Sequence, residues 1–328
     1  MREGFQLIEV KGLVKRYGAK IALCNVSFQA GEGESIALLG TQGAGKTTLL
    51  DVLSGVMECD EGAISVCGCD LRERPYEAKR HIGYVPAVPP LFKDMTPRLA
   101  LRFVAEAWGL SLREASGRID EILKETQLIE VSDTPARNLT TSAQRMLSLA
   151  QALLMDPEVL LIDEPTVGFD VKDAICVRRV IKSLAGKKTV LVATQNLTEA
   201  ESLCTRVLVM SQGSLRADVP MDRLHALELD TNEMSVRVLG GRDAAEQAVS
   251  SVKGAKAVSC EPSRESGAVD LVVEMDEDLR AQLSTALVKA GLPVLEMKRV
   301  TVSGEKLLEQ LTSEKVGEKG ADCDEGNL

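Results

Sequence analysis

The run Gly40-Thr41-Gln42-Gly43-Ala44-Gly45-Lys46-Thr47-Thr48 constrains this chain more than any other segment. It follows the apolar stretch Ser35-Ile36-Ala37-Leu38-Leu39 and precedes Leu49-Leu50-Asp51-Val52-Leu53. Buried strand, glycine-rich turn and helix N-terminus form the P-loop pattern in its required context. The glycines let the backbone wrap closely around an anion, so that successive N–H groups and the helix dipole face it. In that pattern Lys46 reaches the β- and γ-phosphates and the Thr47 hydroxyl ligates Mg²⁺. The expectation is a nucleotide site whose cradle is Gly40, Thr41, Gln42, Gly43, Ala44, Gly45, Lys46, Thr47 and Thr48.

A P-loop needs a sheet to emerge from, and the chain supplies one. Short strands are expected around the P-loop, at 5–10 and 22–28. Three apolar runs, 159–162, 189–193 and 206–210, read as strands of a parallel sheet covered on both faces. A helical stretch at 171–184 separates the first two. Residues 96–155 read as helical: Thr96-Pro97 is an N-cap followed by proline at the first helical position. Ser111-Leu112-Arg113-Glu114 is a capping box, with Ala115, Ile119, Ile122 and Leu123 at helical spacing behind it. The fold class expected for 1–228 is therefore an α/β P-loop NTPase sheet with a helical subdomain at about 96–155.

Beyond residue 228 the pattern changes. Met234, Val236 and Val238 alternate; Ala245, Ala248, Val249 and Val252 follow helical spacing; Val269, Leu271, Val273 and Met275 alternate again. Asp276 reads as the cap of a second helix carrying Leu279, Leu283, Ala286 and Leu287, closed by Gly291. The order β-α-β-β-α-β implies a small α+β ferredoxin-like domain over 233–315. Residues 316–328 read as a solvated, disordered tail.

The net charge of −10 over 328 residues argues against a nucleic-acid partner. No run has the apolar length of a membrane span, so work at a membrane requires a separate membrane partner. The eight cysteines are scattered, and Cys67-Gly68-Cys69 lacks the paired C-x₂-C spacing of zinc sites. Reduced thiols and no metal–thiolate centre are the expectation.

Asp163 and Glu164 close the apolar strand 159–162. Downstream of a P-loop, the first carboxylate would hold Mg²⁺ through water and the second would polarise the attacking water. On these residues, the stretch from about 5 to 228 resembles the nucleotide-binding subunit of an ABC transporter. The Walker A loop at 40–48, the Walker B strand ending at Asp163 with Glu164, and the D-loop Gly168-Phe169-Asp170 all match. Tyr17 matches the aromatic that stacks on adenine in that family; a packed core tyrosine is the alternative. The C-terminal part is similar to the accessory domain of bacterial exporter subunits.

The resemblance implies ATP and Mg²⁺ as cofactors, ATP hydrolysis, and a membrane permease as partner. It also implies a homodimer or heterodimer of ATP-binding subunits, peripheral on the cytoplasmic face of the cell membrane. Three motifs depart from it. Ala87 stands where glutamine or glutamate is usual. The signature reads Leu139-Thr140-Thr141-Ser142-Ala143 in place of Leu-Ser-Gly-Gly-Gln. Gln195 replaces the histidine that contacts the γ-phosphate and assists the glutamate. Thr140, Thr141 and Ser142 would face nucleotide bound by the opposite subunit. Retained binding with slowed hydrolysis, or one half of an asymmetric heterodimer, is the expectation that follows. A regulatory nucleotide sensor of the same fold is the alternative reading.

Overall fold

The computed structural model describes residues 6–228, 233–263, 265, 267–276 and 278–299. It divides into two compact units, one ending at Asp222 and one beginning at Arg223.

The first unit opens with two strands, β1 (Gln6–Tyr17) and β2 (Lys20–Gly31), each 12 residues long and paired antiparallel. They are much longer than the short runs expected. Register shifts between Val10 and Leu13, and again at Lys15, interrupt the two-residue alternation, so one bulged strand reads in sequence as a fragment. β3 (Ser35–Leu39) is buried at every residue and leads into α1 (Lys46–Leu53). β4 (Glu61–Val66) and the two-residue β5 (Cys69–Asp70) complete an antiparallel sheet of order β2-β1-β4-β5. Ile8, Leu13 and Leu23 of this sheet share one core with Ile36, Leu38, Leu49 and Leu50. The P-loop helix is thereby packed against the antiparallel sheet.

After α2 (Pro75–Arg80) and β6 (Ile82–Val85) comes the helical region: α3 (Pro97–Ala107), α4 (Leu112–Glu125) and α5 (Thr141–Leu153). The Thr96 side chain accepts from the Leu99 N–H, and the Ser111–Glu114 capping box is formed in both directions. Then follow β7 (Val159–Asp163), α6 (Val171–Leu184), β8 (Thr189–Thr194), α7 (Leu197–Leu203), β9 (Arg206–Ser211) and β10 (Ser214–Pro220). The second sheet has order β10-β9-β3-β8-β7-β6, parallel except for the antiparallel edge strand β10. β7 and β8 are buried throughout, which is why they are continuous apolar runs. The loops after β3, β7 and β8 leave the carboxyl ends of neighbouring strands, where open parallel sheets bind ligands. α8 (Met221–Glu228) crosses the division between the units.

The second unit runs β11 (Glu233–Leu239), α9 (Arg242–Ser250), β12 (Ala255–Pro262), β13 (Ala268–Met275), α10 (Arg280–Lys289) and β14 (Val294–Arg299). Its sheet is wholly antiparallel with order β12-β13-β11-β14, the ferredoxin-like arrangement. Asp276 does not cap the second helix. α10 starts at Arg280 with buried Leu279 in the N-cap position and no side-chain cap, while the Asp276 N–H donates to Gly254 O. The periodic leucines extend one residue beyond the helix and are seated by packing. Residues 300–315 of the expected domain and the tail at 316–328 lie outside the described residues.

Among the described residues, no helix is long and apolar enough to cross a membrane. Cys59, Cys67, Cys69, Cys176, Cys204 and Cys260 carry free thiols. Cys24 is disulfide-bonded, a departure from the expectation of reduced thiols throughout.

Candidate functional site

Gly45 sits at the N-cap of α1 with φ 100°, and no side chain caps this helix, so its first N–H groups face outward unblocked. A Cβ on Gly45 would lie 2.6 Å from Ala22 O, and one on Gly40 would lie 2.4 Å from Met210 O. Both positions therefore exclude any side chain. Within this turn the buried Lys46 ammonium donates to Gly40 O (2.8 Å) and Thr41 O (3.1 Å). Thr47 Oγ1 donates to Asp163 Oδ2 at 2.8 Å, and Lys46 Nζ stands 3.7 Å from Glu164 Oε1. Residues 116 positions apart thus meet in one cluster. Thr41, Gln42 and Gly43 form the exposed outer rim of the turn, and Thr48 is half-buried.

Asp163 is fully buried. Burial pushes its carboxyl above the usual carboxylate range, against the Thr47 hydrogen bond and the Lys46 charge. Burial raises Glu164 as well, with Lys46 opposing, and lowers Lys46 itself. Glu164 holds a left-handed backbone (φ 44°), an uncommon conformation for a residue with a side chain. Asp163 Oδ1 and Glu164 Oε2 are buried with no hydrogen-bond partner among the described residues. Two orphaned carboxylate oxygens beside a threonine hydroxyl form a hard oxygen donor set, which suits Mg²⁺.

The other expected residues are more loosely placed. Tyr17 is 47% exposed at the end of β1, so it is not a core ring. Its hydroxyl donates to Met57 Sδ, and Lys15 Nζ lies 5.9 Å from the ring centroid. Thr140 is the N-cap of α5: its hydroxyl accepts from the Ala143 N–H at 3.2 Å and pairs with Ser142 Oγ at 3.0 Å. Thr141 begins the helix and is exposed, with no left-handed backbone. The backbone there does not call for glycine; what threonine adds is bulk over the helix end. Gly168 is left-handed (φ 78°), and Asp170 caps α6 by accepting from the Asp173 N–H at 2.9 Å. Gln195 is exposed just beyond β8, and Ala87 is half-buried.

No motif in the sequence singles out Arg145. It is 5% exposed and donates to Pro86 O and Ala87 O, both at 2.5 Å, and to Glu164 O at 3.3 Å. One guanidinium thus ties the signature helix to the loop after β6 and to the Glu164 backbone. Glu199, nearly inaccessible, likewise accepts from the hydroxyls of Thr166 and Thr194. Arg145 is the single charge in α5, the one signal that could have marked it, whereas Glu199 shares its short helix with Glu201 and carries no such signal.

The ABC transporter family profile matches residues 23–167. A Nod factor export ATP-binding protein I from Burkholderia orbicola (strain AU 1054) is 36% identical over 207 residues, covering 63% of this chain and 68% of that protein. A solved ATP-binding subunit of an ABC transporter is 30% identical with a TM-score of 0.61, covering 67% of this chain and 92% of that one. The dimeric, ADP- and Pi-bound cassette MJ0796 shares the fold at 23% identity and a TM-score of 0.60, covering 65% of this chain and 98% of that one. With the P-loop, its two carboxylates and these likenesses together, the chain belongs to the ABC transporter family as an ATP-binding subunit of the ATPase type.

Proposed function

We propose that this subunit serves an export transporter, holds MgATP firmly in its own P-loop, and hydrolyses it slowly unless a second cassette supplies the missing groups. The observation that carries this reading is a contrast within one chain. Lys46, Thr47, Asp163 and Glu164 converge in one bonded cluster, with Lys46 and Asp163 buried and two carboxylate oxygens orphaned. The signature residues and Gln195, by contrast, are altered and mostly exposed.

In this reading the loop N–H groups and Lys46 grip the phosphates, and Lys46 exchanges its two carbonyl partners for phosphate oxygens. Thr47 and Asp163 would hold Mg²⁺, which when bound neutralises charge on the β- and γ-phosphate oxygens. Glu164 orients and polarises the attacking water. Gln195 can donate a hydrogen bond to the γ-phosphate but brings no positive charge. The exposed ring of Tyr17 offers the base a stacking surface. Thr140, Thr141 and Ser142 face the nucleotide of a second ATP-binding subunit, with Gly168 and Asp170 lining the same junction. A membrane permease receives the closure, with the subunit peripheral on the inner face of the membrane.

Equilibrium titration with fluorescent ATP analogues, with and without Mg²⁺, tests the binding half. Steady-state phosphate release, alone and with co-purified cassettes, tests the turnover half. Binding without brisk turnover is expected for the isolated chain. Transport-level turnover by the isolated chain would overturn the proposal.

A further inference from the structure

The cysteine spacing argues against a metal–thiolate centre, but the fold assembles a candidate from three distant segments. We propose that Cys67, His81 and Glu158 form a zinc-type metal site on the first unit, separate from the nucleotide site. Cys67 occupies the tight turn between β4 and β5, left-handed at φ 50° and followed by Gly68 at φ 75°. His81 closes α2, and Glu158 immediately precedes β7. Backbone bonds anchor the last two: the Val159 N–H donates to His81 O, and the Thr189 N–H donates to Glu158 O, both at 2.9 Å. His81 Nδ1 lies 3.0 Å from Glu158 Oε2. The sulfur, the imidazole nitrogen and the carboxylate oxygen all fall within 4.8 Å of one another.

A tetrahedral zinc site with bonds of about 2.0–2.3 Å has ligand-to-ligand edges of roughly 3.3–3.7 Å. Side-chain rotations of about an ångström therefore close the triad around one ion. The donor set decides the class of metal. One thiolate, one imidazole and one carboxylate suit Zn²⁺ or Co²⁺, whereas Mg²⁺ and Ca²⁺ favour all-oxygen shells. Three protein ligands leave the fourth position to water. Cys67 and His81 are half-buried and Glu158 is exposed, which gives the ion a way in. Burial, with smaller contributions from Glu158 and Cys69, pushes the Cys67 thiol up to about 11. A ligated dication supplies the charge that stabilises the thiolate, so binding releases a proton. An ion there would pin the β4–β5 turn to the entry of β7, the strand that ends at Asp163.

Chelator-stripped full-length protein, in excess Mg²⁺ to fill hard oxygen sites, is titrated with Co²⁺ and followed for thiolate-to-cobalt charge transfer. The nucleotide cluster of Lys46, Thr47, Asp163 and Glu164 has no thiol and cannot produce that band. One equivalent of Co²⁺ is expected to develop it, and Zn²⁺ to abolish it by displacement. Cys67→Ser removes the band, His81→Ala weakens Co²⁺ binding at least about tenfold, and Cys69→Ser leaves both unchanged. Mg-ATP binding by each variant reports that the unit is folded. Should Cys67→Ser fail that control, loss of the band in folded Glu158→Gln and His81→Ala supports the site. No band in the wild type, a band surviving in Cys67→Ser, or full-strength binding by folded His81→Ala and Glu158→Gln would overturn the proposal.

Discussion

The two halves of the proposed catalytic apparatus have met different fates in this chain. The half proposed to work within the chain is a cluster anchored on buried Lys46 and Asp163, in which Lys46, Thr47, Asp163 and Glu164 hold one another. The half that works across a subunit boundary is Thr140, Thr141, Ser142 and Gln195, mostly exposed. Removing a mutually bonded group leaves partners unsatisfied, so it costs stability as well as activity unless, as with the Asp163 carboxylate, it also relieves a buried charge. Altering an exposed residue costs activity alone. Substitution at the outer surface is therefore compatible with an unperturbed fold, and Thr140, Thr141 and Gln195 lie there, while Ala87 and Ser142 are half-buried.

The largest expected effects separate the two activities of the half within the chain. Lys46→Ala should weaken ATP binding by about a hundredfold or more, the equivalent of roughly 3 kcal/mol. Glu164→Gln should bind ATP as the wild type does, while single-turnover hydrolysis falls about 10²–10⁴-fold. If Glu164→Gln hydrolyses normally, that carboxylate is not the base. Next comes repair of the outer half. Gln195→His combined with Thr141→Gly and Ser142→Gly should raise steady-state phosphate release about 10- to 100-fold, because one well-placed donor is commonly worth that much. No gain would show that the exposed face is not what slows the chain.

A smaller effect is expected at the strut between the halves. Arg145→Met removes three bonds to carbonyls, so urea melts should show a loss of about 1–3 kcal/mol. Turnover should fall more than ATP affinity, since Arg145 holds the Glu164 backbone and does not reach the phosphate cradle through any hydrogen bond described. The smallest is a gain. Burial raises the Asp163 carboxyl, so the folded state binds that proton more tightly than the unfolded chain. Its contribution to stability is favourable below the unfolded value and is lost as pH rises through the raised folded value. Asp163→Asn should therefore melt at a slightly higher temperature than the nucleotide-free wild type at neutral pH, with a flatter pH dependence above the ordinary carboxylate range. The melting shift produced by Mg-ATP should vanish with it.

What the sequence made legible is what short-range physics determines. The P-loop turn, the Thr96 and Ser111 caps and the buried runs of β7 and β8 each depend on neighbours within a few residues. β1 and β2 were read as fragments because bulges break the alternation on which strand reading relies. Asp276 failed as a cap because tertiary packing seats Leu279 instead. Arg145 and the Cys67–His81–Glu158 cluster were invisible for a common reason. Their partners lie 58 and 77 positions away, and only the strand order brings them together.

Ala22 O on β2 abuts both Gly45 of the P-loop and Gly213 of the turn between β9 and β10: a Cβ at either glycine would fall within 2.7 Å of it. Cys24 N–H also donates to Gly213 O, fastening the same strand to that turn. Because β1 is laddered to β2, a base stacked on Tyr17 as proposed would bear, backbone to backbone, on the loop proposed to hold the phosphates. The two ends of a nucleotide would therefore be sensed by a single stiff lever, and a ligand lacking its base would leave that lever unloaded.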